Sequence, residues 1–306
     1  MVQAHRIKTV AIVGCTAVGK SEIALKLAEK YNGVLVGADS MQIYRGFDIG
    51  TGKLTKAECR GIEHKLIDIV DGDADFSVGE YVKLADSEID GISASGKLPI
   101  IVGGTGMYVY SLLSGCNFSN APKDQAVRTR LKILSHFIGG KEIHRLLERV
   151  DKQSADAIAE NDVKRTVRAL EIYLVTGEPK SRVADKHETK YDALTIVLTL
   201  PRELLYERIN ARVKKMFDMG LMDEVISLAK FRGYGSMQAL GYKQIAENPT
   251  MPREQIEPIV AQKTRNYAKR QMTYFNHMKL SNTVFIDARN YDEIERTVKT
   301  FLTEKG

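Results

Sequence analysis

Residues 14–21 read Gly14-Cys15-Thr16-Ala17-Val18-Gly19-Lys20-Ser21, the spacing G-x-x-x-x-G-K-[ST] of a phosphate-binding loop. Its glycines let the backbone curl until several N–H groups converge on one anion, at the positive end of the helix that follows. Lys20 adds a mobile positive charge, and the Ser21 hydroxyl can ligate a magnesium ion bridging two phosphates. Such a loop asks for a diphosphate-bearing ligand and does not by itself say nucleotide.

Two more segments offer polar groups after apolar runs. In Asp39-Ser40-Met41-Gln42, the lone Asp also suits a helix cap or a turn. Gln42, however, has the amide type that reads an adenine edge, and Tyr44 and Arg45 follow in a stretch too polar for a core. Gly103-Gly104-Thr105-Gly106-Met107-Tyr108 has three glycines in four positions. That pattern fits backbone brought close to a ligand, and it equally fits a plain tight turn.

Basic residues gather elsewhere. Lys263, Arg265, Lys269, Arg270 and Lys279 occur with no intervening acid, interleaved with Tyr267, Tyr274, Phe275 and His277. Arg265 and Lys269, four apart, share one helical face. An unrelieved positive stripe with aromatics points to nucleic acid, although a merely basic surface has the same look. Arg128 and Arg130, with Lys164, Arg165 and Arg168, make a second basic group. The six scattered histidines suggest no metal or catalytic role.

The elements that must hold these groups are legible. Ile7–Val13 is a run of β-branched and apolar residues, as a strand buried on both faces requires. A helix is expected over Ser21–Lys30, and further strands over Gly33–Ala38, Leu66–Val70, Leu98–Val102, Leu194–Leu200 and Thr283–Ile286, with a helix near Ser77–Ile92. Strands alternating with helices predict an α/β fold, a P-loop-type parallel sheet core flanked by helices. In such sheets ligands sit at the carboxyl ends of the strands, where the phosphate loop, Asp39 and the 103–106 glycines would converge. Residues 118–190 break the pattern. Helical periodicity over Ala126–Phe137, Lys141–Val150 and Val163–Val175 predicts a mostly helical inserted domain, closed by Gly177-Glu178-Pro179. The core would then comprise 1–117 and 191–306.

Composition excludes several classes. With 43% hydrophobic and 27% charged residues over 306 positions, the chain is neither disordered nor fibrous. No stretch approaches the ~18 uninterrupted apolar residues of a membrane span. The amino-terminal apolar run feeds straight into the glycine motif, so it reads as a strand and not a signal peptide. Cys15, Cys59 and Cys116 are odd in number and unpaired in spacing, against a disulfide frame or a zinc site. A reduced, cytoplasmic protein is the expectation. A net charge of +6 permits a polyanionic partner without requiring one.

Taken together, GCTAVGKS, DSMQIYRGFDIGTGK, GGTGMY, NDVKRTVRALE, ALGYK and AKRQMTYF, in this order and spacing, resemble the tRNA dimethylallyltransferase (tRNA isopentenyltransferase) family over essentially the whole chain. That resemblance implies transfer of a dimethylallyl group from dimethylallyl diphosphate to the exocyclic amine of the adenosine immediately 3′ of the tRNA anticodon. It implies Mg2+ as cofactor and the tRNA anticodon stem-loop as partner. No membrane partner is expected, and the chain is expected to be a monomer. By motif, Gly14, Thr16, Ala17, Val18, Gly19, Lys20 and Ser21 would hold the diphosphate, with Ser21 on the metal. Asp39 would be the base, Thr105 would line the channel, and Lys20 would act on the leaving group. Arg208 and Arg212, in ERINARVKKMFDMGL, look like the paired arginines near the diphosphate. Asp39, Ser40, Met41, Gln42, Thr105, Arg128, Lys164, Arg165, Thr166, Val167 and Arg168 would contact tRNA. So would Ala239, Leu240, Gly241, Tyr242, Lys243, Lys269, Arg270, Gln271 and Tyr274. The chain departs from the family pattern at Cys15, where proline is usual, at Lys164, where glutamine is common, and at Tyr274, where tryptophan is common.

Two enzymes of other specificity share parts of this pattern. A P-loop kinase of a small metabolite would leave the 263–279 stripe without a task. A cytokinin-type adenylate dimethylallyltransferase, acting on a free nucleotide, would need neither that stripe nor the insertion.

Overall fold

The computed structural model describes residues 6–116, 124–183 and 189–304. β-Branched residues draw Ile7–Gly14 into a strand, β1, buried from Thr9 onward. The phosphate loop leads to α1 (Lys20–Tyr31), β2 (Gly33–Gly37), β3 (His64–Lys65), α2 (Val78–Ala94), β4 (Leu98–Gly103) and α3 (Gly106–Leu113). A helical stretch follows: α4 (Gln125–Ile138), α5 (Gly140–Val150), α6 (Lys152–Ala157), α7 (Val163–Thr176) and α8 (Lys180–Val183). The chain then continues through β5 (Tyr191–Thr199), α9 (Arg202–Asp218), α10 (Leu221–Ser227) and α11 (Tyr242–Glu247). It ends with α12 (Arg253–His277), β6 (Thr283–Asp287) and α13 (Tyr291–Thr303).

All six strands pair in parallel, in the order β3-β2-β4-β1-β5-β6. Because β2 lies beyond β4 from β1, the loops after β1, β4 and β2 stand side by side at the carboxyl edge. Such an edge is where open parallel sheets take their ligands. One face of the sheet buries Ile23, Leu27, Ile209, Val213, Val260 and Ile294 from α1, α9, α12 and α13. The other buries Tyr81, Ile89, Tyr108 and Leu112 from α2 and α3. With both faces covered, the strands read as continuous apolar runs.

The chain forms two compact units, Met1–Ser114 with Thr189–Gly306, and Gly115–Glu188. Within the second, α4, α5, α6 and α7 enclose a separate core of Leu131, Ile143, Leu147, Ile158, Val167 and Leu170. Gly177 ends α7 in the left-handed conformation, φ 76°, where a residue with a Cβ is disfavoured. No helix among the described residues is long and apolar enough to cross a membrane.

The strand expected over Leu66–Val70 is displaced. Ladder pairing with β2 covers only His64 and Lys65, and Leu66 and Asp68 take left-handed φ values of 61° and 56°. These turns redirect the chain to the segment after Asp39: the Asp68 N–H donates to the Gln42 carbonyl at 3.1 Å, and Val70 bridges Tyr44. The apolar residues of 66–70 thus pack beneath the site loop and do not extend the sheet.

Candidate active site

β1, β2 and β4 deliver the three loops to one place. After β1, the phosphate loop carries Ala17 at φ 64°, and Gly19 opens α1 with no side-chain cap. Uncapped N–H groups at the head of a helix are ready donors for an anion. Lys20 Nζ donates to the Cys15 carbonyl at 2.8 Å, which folds the side chain back over the loop. Burial pushes its pKa down to about 8, opposed by the nearby Cys15 and Asp39 and reinforced by Arg212. Val18 is fully buried, so it contributes backbone to the loop and its side chain to the core.

After β2, Asp39 Oδ1 accepts the Met41 N–H at 2.9 Å, which orients the carboxylate. After β4, Gly103 permits contact between strand ends: a Cβ there would lie 2.1 Å from the Ala38 carbonyl oxygen. The glycines of this loop are therefore required by neighbouring protein. Thr105, expected to line the channel, turns its hydroxyl to Ser40, accepting the Ser40 N–H at 2.9 Å and contacting Ser40 Oγ at 3.3 Å. It braces the Asp39–Ser40 turn and is not among the residues lining the cavity.

That cavity, of about 340 Å³, is walled by Lys20 and Ser21 at one end, by Asp39 and Gln42, and by the Ala239–Gly241 loop with Tyr267 and Arg270 of α12. Its size suits a small organic ligand. The Gln42 amide donates to the Thr51 and Gly52 carbonyls at 3.1 and 3.4 Å. Burial and then the Asp39 carboxylate raise the pKa of the Tyr267 phenol, and the Arg270 guanidinium lies 5.6 Å from the centre of that ring. A second cavity, of about 710 Å³, meets the first at Ala17, Lys20, Ser21, Gly52 and Arg212 and adds Arg60 and Arg208. Arg208 and Arg212, one turn apart on α9, reach Val18 and Thr51 carbonyls at 3.3 and 3.4 Å. Burial holds Arg212 below the usual arginine range, and Asp39 opposes that shift. Both expected arginines thus stand at the phosphate loop.

Among the described residues no group of three or more His, Cys, Asp or Glu could hold a metal. A magnesium ion bound mainly through substrate phosphates and water needs only one or two protein oxygens. The Ser21 hydroxyl, at the head of α1 and lining both cavities, fits that need.

Several residues read as RNA contacts are internal. Gln271 is 6% exposed; its Oε1 accepts the Thr16 N–H at 2.9 Å and its Nε2 donates to the Gly104 carbonyl at 2.9 Å. Ala239, nearly buried, lines the cavity. Tyr242 and Thr166 are fully buried, and Val167 nearly so. Their side chains pack inside the protein, because a motif in a helix marks its inner face as readily as its outer one. By contrast, Lys164, Arg165, Lys269 and Arg270 are exposed, Leu240 and Lys243 are half-buried, and Tyr274 is 40% exposed. Arg128 is committed to Glu171 through bonds of 2.9 and 3.1 Å, and Arg168 pairs with the same buried carboxylate at 2.9 Å.

His64 carried no role in the sequence, yet it lines the cavity. Burial pushes its imidazole down to about 4, so the ring is neutral near pH 7. Its Nε2 is buried with no hydrogen-bond partner among the described residues. Nothing in the spacing around His64 could have signalled this, since only the pairing with β2 brings it there.

Comparison with known proteins agrees with this arrangement. Residues 42–278 match the family model for IPP transferase. The tRNA dimethylallyltransferase of Caldanaerobacter subterraneus subsp. tengcongensis is 42% identical over 98% of each chain. That of Bacillus cereus is 41% identical over 100% of this chain and 99% of its own. The crystal structure of the tRNA isopentenylpyrophosphate transferase from Bacillus halodurans superposes with a TM-score of 0.71, at 37% identity over 96% of both chains. A eukaryotic dimethylallyltransferase acting on tRNA gives 0.82 at 27% identity, over 96% of this chain and 77% of the other. By sequence over its full length and by fold, the chain belongs to the IPP transferase family, that of the tRNA dimethylallyltransferases.

Proposed function

We propose that this protein transfers a dimethylallyl group from dimethylallyl diphosphate to the exocyclic amine of the adenosine immediately 3′ of a tRNA anticodon, with release of diphosphate. The observation that carries this reading is the shared cavity, in which a carboxylate, Asp39, faces the same space as the phosphate-loop residues Lys20 and Ser21. Its named relatives act on tRNA, and the exposed Lys164, Arg165, Lys269 and Arg270 suit contacts with RNA phosphates.

The chemistry follows from what each partner lacks. An adenine amine is a weak nucleophile because its lone pair is delocalised into the ring. As the N–C bond forms and the C–O bond to diphosphate breaks, the amine proton passes to the Asp39 carboxylate. General-base help of this kind contributes roughly 10²–10⁴-fold. Charge gathering on the leaving diphosphate meets Lys20, the loop N–H groups and Arg212, donors fixed before the reaction begins. Ser21 would hold a magnesium ion, which would supply further positive charge to the leaving diphosphate. The target base must leave the anticodon-loop stack, at a cost of a few kcal/mol recovered from cavity and backbone contacts.

The test is to incubate the protein with labelled dimethylallyl diphosphate and undermodified tRNA, AMP, or neither. Label on tRNA alone supports the reading. Label on AMP and not on tRNA would replace it with the free-nucleotide enzyme.

A further inference from the structure

The turn Asp48-Ile49-Gly50-Thr51-Gly52 supplies part of the cavity wall. Its N–H face converges on a single side chain from α10. Glu224 accepts the N–H groups of Asp48, Ile49 and Gly50 at 3.2, 2.9 and 3.3 Å. Three successive N–H groups around one carboxylate form a concave anion nest, filled here by the protein itself. Tyr242 closes the ring, donating its hydroxyl to Glu224 and accepting the Gly50 N–H at 3.1 Å. No side chain fits at position 50, because a Cβ would lie 2.3 Å from the Tyr242 ring. That ring in turn sits 5.0 Å, centre to centre, from Phe47.

The last two carbonyls of the same turn face the site. Thr51 and Gly52 accept the Gln42 amide, and Thr51 also accepts Arg212. A five-residue turn therefore links a group on the Asp39 side of the cavity to a group at the phosphate loop. Its N–H side is anchored by Glu224, which touches neither cavity.

We propose that Glu224 is a positioning residue for the transfer reaction. By clamping the N–H face of residues 48–50, it sets where the 51–52 carbonyls hold Gln42 toward the acceptor amine and Arg212 toward the diphosphate. The clamp stands on the geometry; its consequence for both substrates rests on the dimethylallyl reading.

Glu224→Gln keeps the shape of the side chain but turns one oxygen into a donor facing other donors. Amide hydrogen exchange, read residue by residue, should quicken about tenfold or more at Asp48, Ile49 and Gly50, with the β1 and β4 amides unchanged. In kinetics, kcat/KM should fall about tenfold or more, with KM raised for both tRNA and dimethylallyl diphosphate. Combined with Gln42→Ala, the losses should be less than additive, since both changes act through the same turn. Tyr242→Phe keeps the three N–H bonds and should give a smaller loss of the same kind; it carries the test if Glu224→Gln does not fold. Unchanged exchange at 48–50, a normal kcat/KM, or full additivity with Gln42→Ala would overturn the proposal. Quickened exchange in a protein whose wild type transfers no isoprenoid would instead sink the dimethylallyl reading and leave the clamp standing.

Discussion

Gln271 of α12 holds Thr16 of the phosphate loop: its side-chain carbonyl accepts the Thr16 N–H at 2.9 Å, while its amide nitrogen reaches the Gly104 carbonyl. One buried amide thus ties the loop after β1 to the loop after β4. Gln271→Ala leaves a donor and an acceptor without partners, a loss of about 1–3 kcal/mol for each buried group. Chemical denaturation should register the lower stability, and KM for dimethylallyl diphosphate should rise as the loop loosens. Wild-type values for both would show that the tie is idle.

Lys20 gives the site a pH signature. Its folded pKa of about 8 lies below the free value of 10.5, through burial. Between these two values the unfolded chain binds more protons, so this group makes stability rise with pH across that window. Ligand binding runs the other way. A diphosphate favours charged Lys20, so its binding near pH 8–9 should take up protons and weaken as pH climbs further. Calorimetry in buffers of different ionisation enthalpy measures that uptake, which Lys20→Met should abolish. Equal heats in all buffers with the wild type would contradict the placement of the diphosphate against Lys20.

On α7, exposed and buried charges should separate cleanly. Lys164 is exposed, so Lys164→Ala should weaken tRNA binding and reduce the slope of log affinity against log salt by about 0.7–0.9 without lowering stability. Glu171 is fully buried between Arg128 and Arg168. Glu171→Gln leaves two cations without their counter-charge, and unfolding of the second unit should become easier by about 2 kcal/mol or more. A stability loss in Lys164→Ala, or none in Glu171→Gln, would contradict these assignments.

The phosphate loop and the parallel sheet were readable because each rests on local rules: glycine spacing in one case, runs of β-branched residues in the other. Leu66–Val70 misled because an apolar run does not disclose that Leu66 and Asp68 sit at left-handed φ. Gln271 lies in the basic, aromatic 263–279 segment and Tyr242 in the family motif ALGYK, yet both point inward; polar residues on a buried helical face are set by tertiary partners. Glu224 was invisible for the same reason. Its acceptor role depends on N–H groups about 175 positions away in the chain. In LMDEVIS it looks like an ordinary acid in the first turn of a helix.

The most direct measurement is single-turnover transfer of labelled isoprenoid to pre-bound tRNA by the wild type and by Asp39→Asn, with tRNA affinity measured in parallel. Losing the carboxylate should slow transfer about 100-fold or more while leaving tRNA affinity within a few-fold of wild type. Transfer at the wild-type rate by Asp39→Asn would mean that the carboxylate beside the phosphate loop does not take the amine proton.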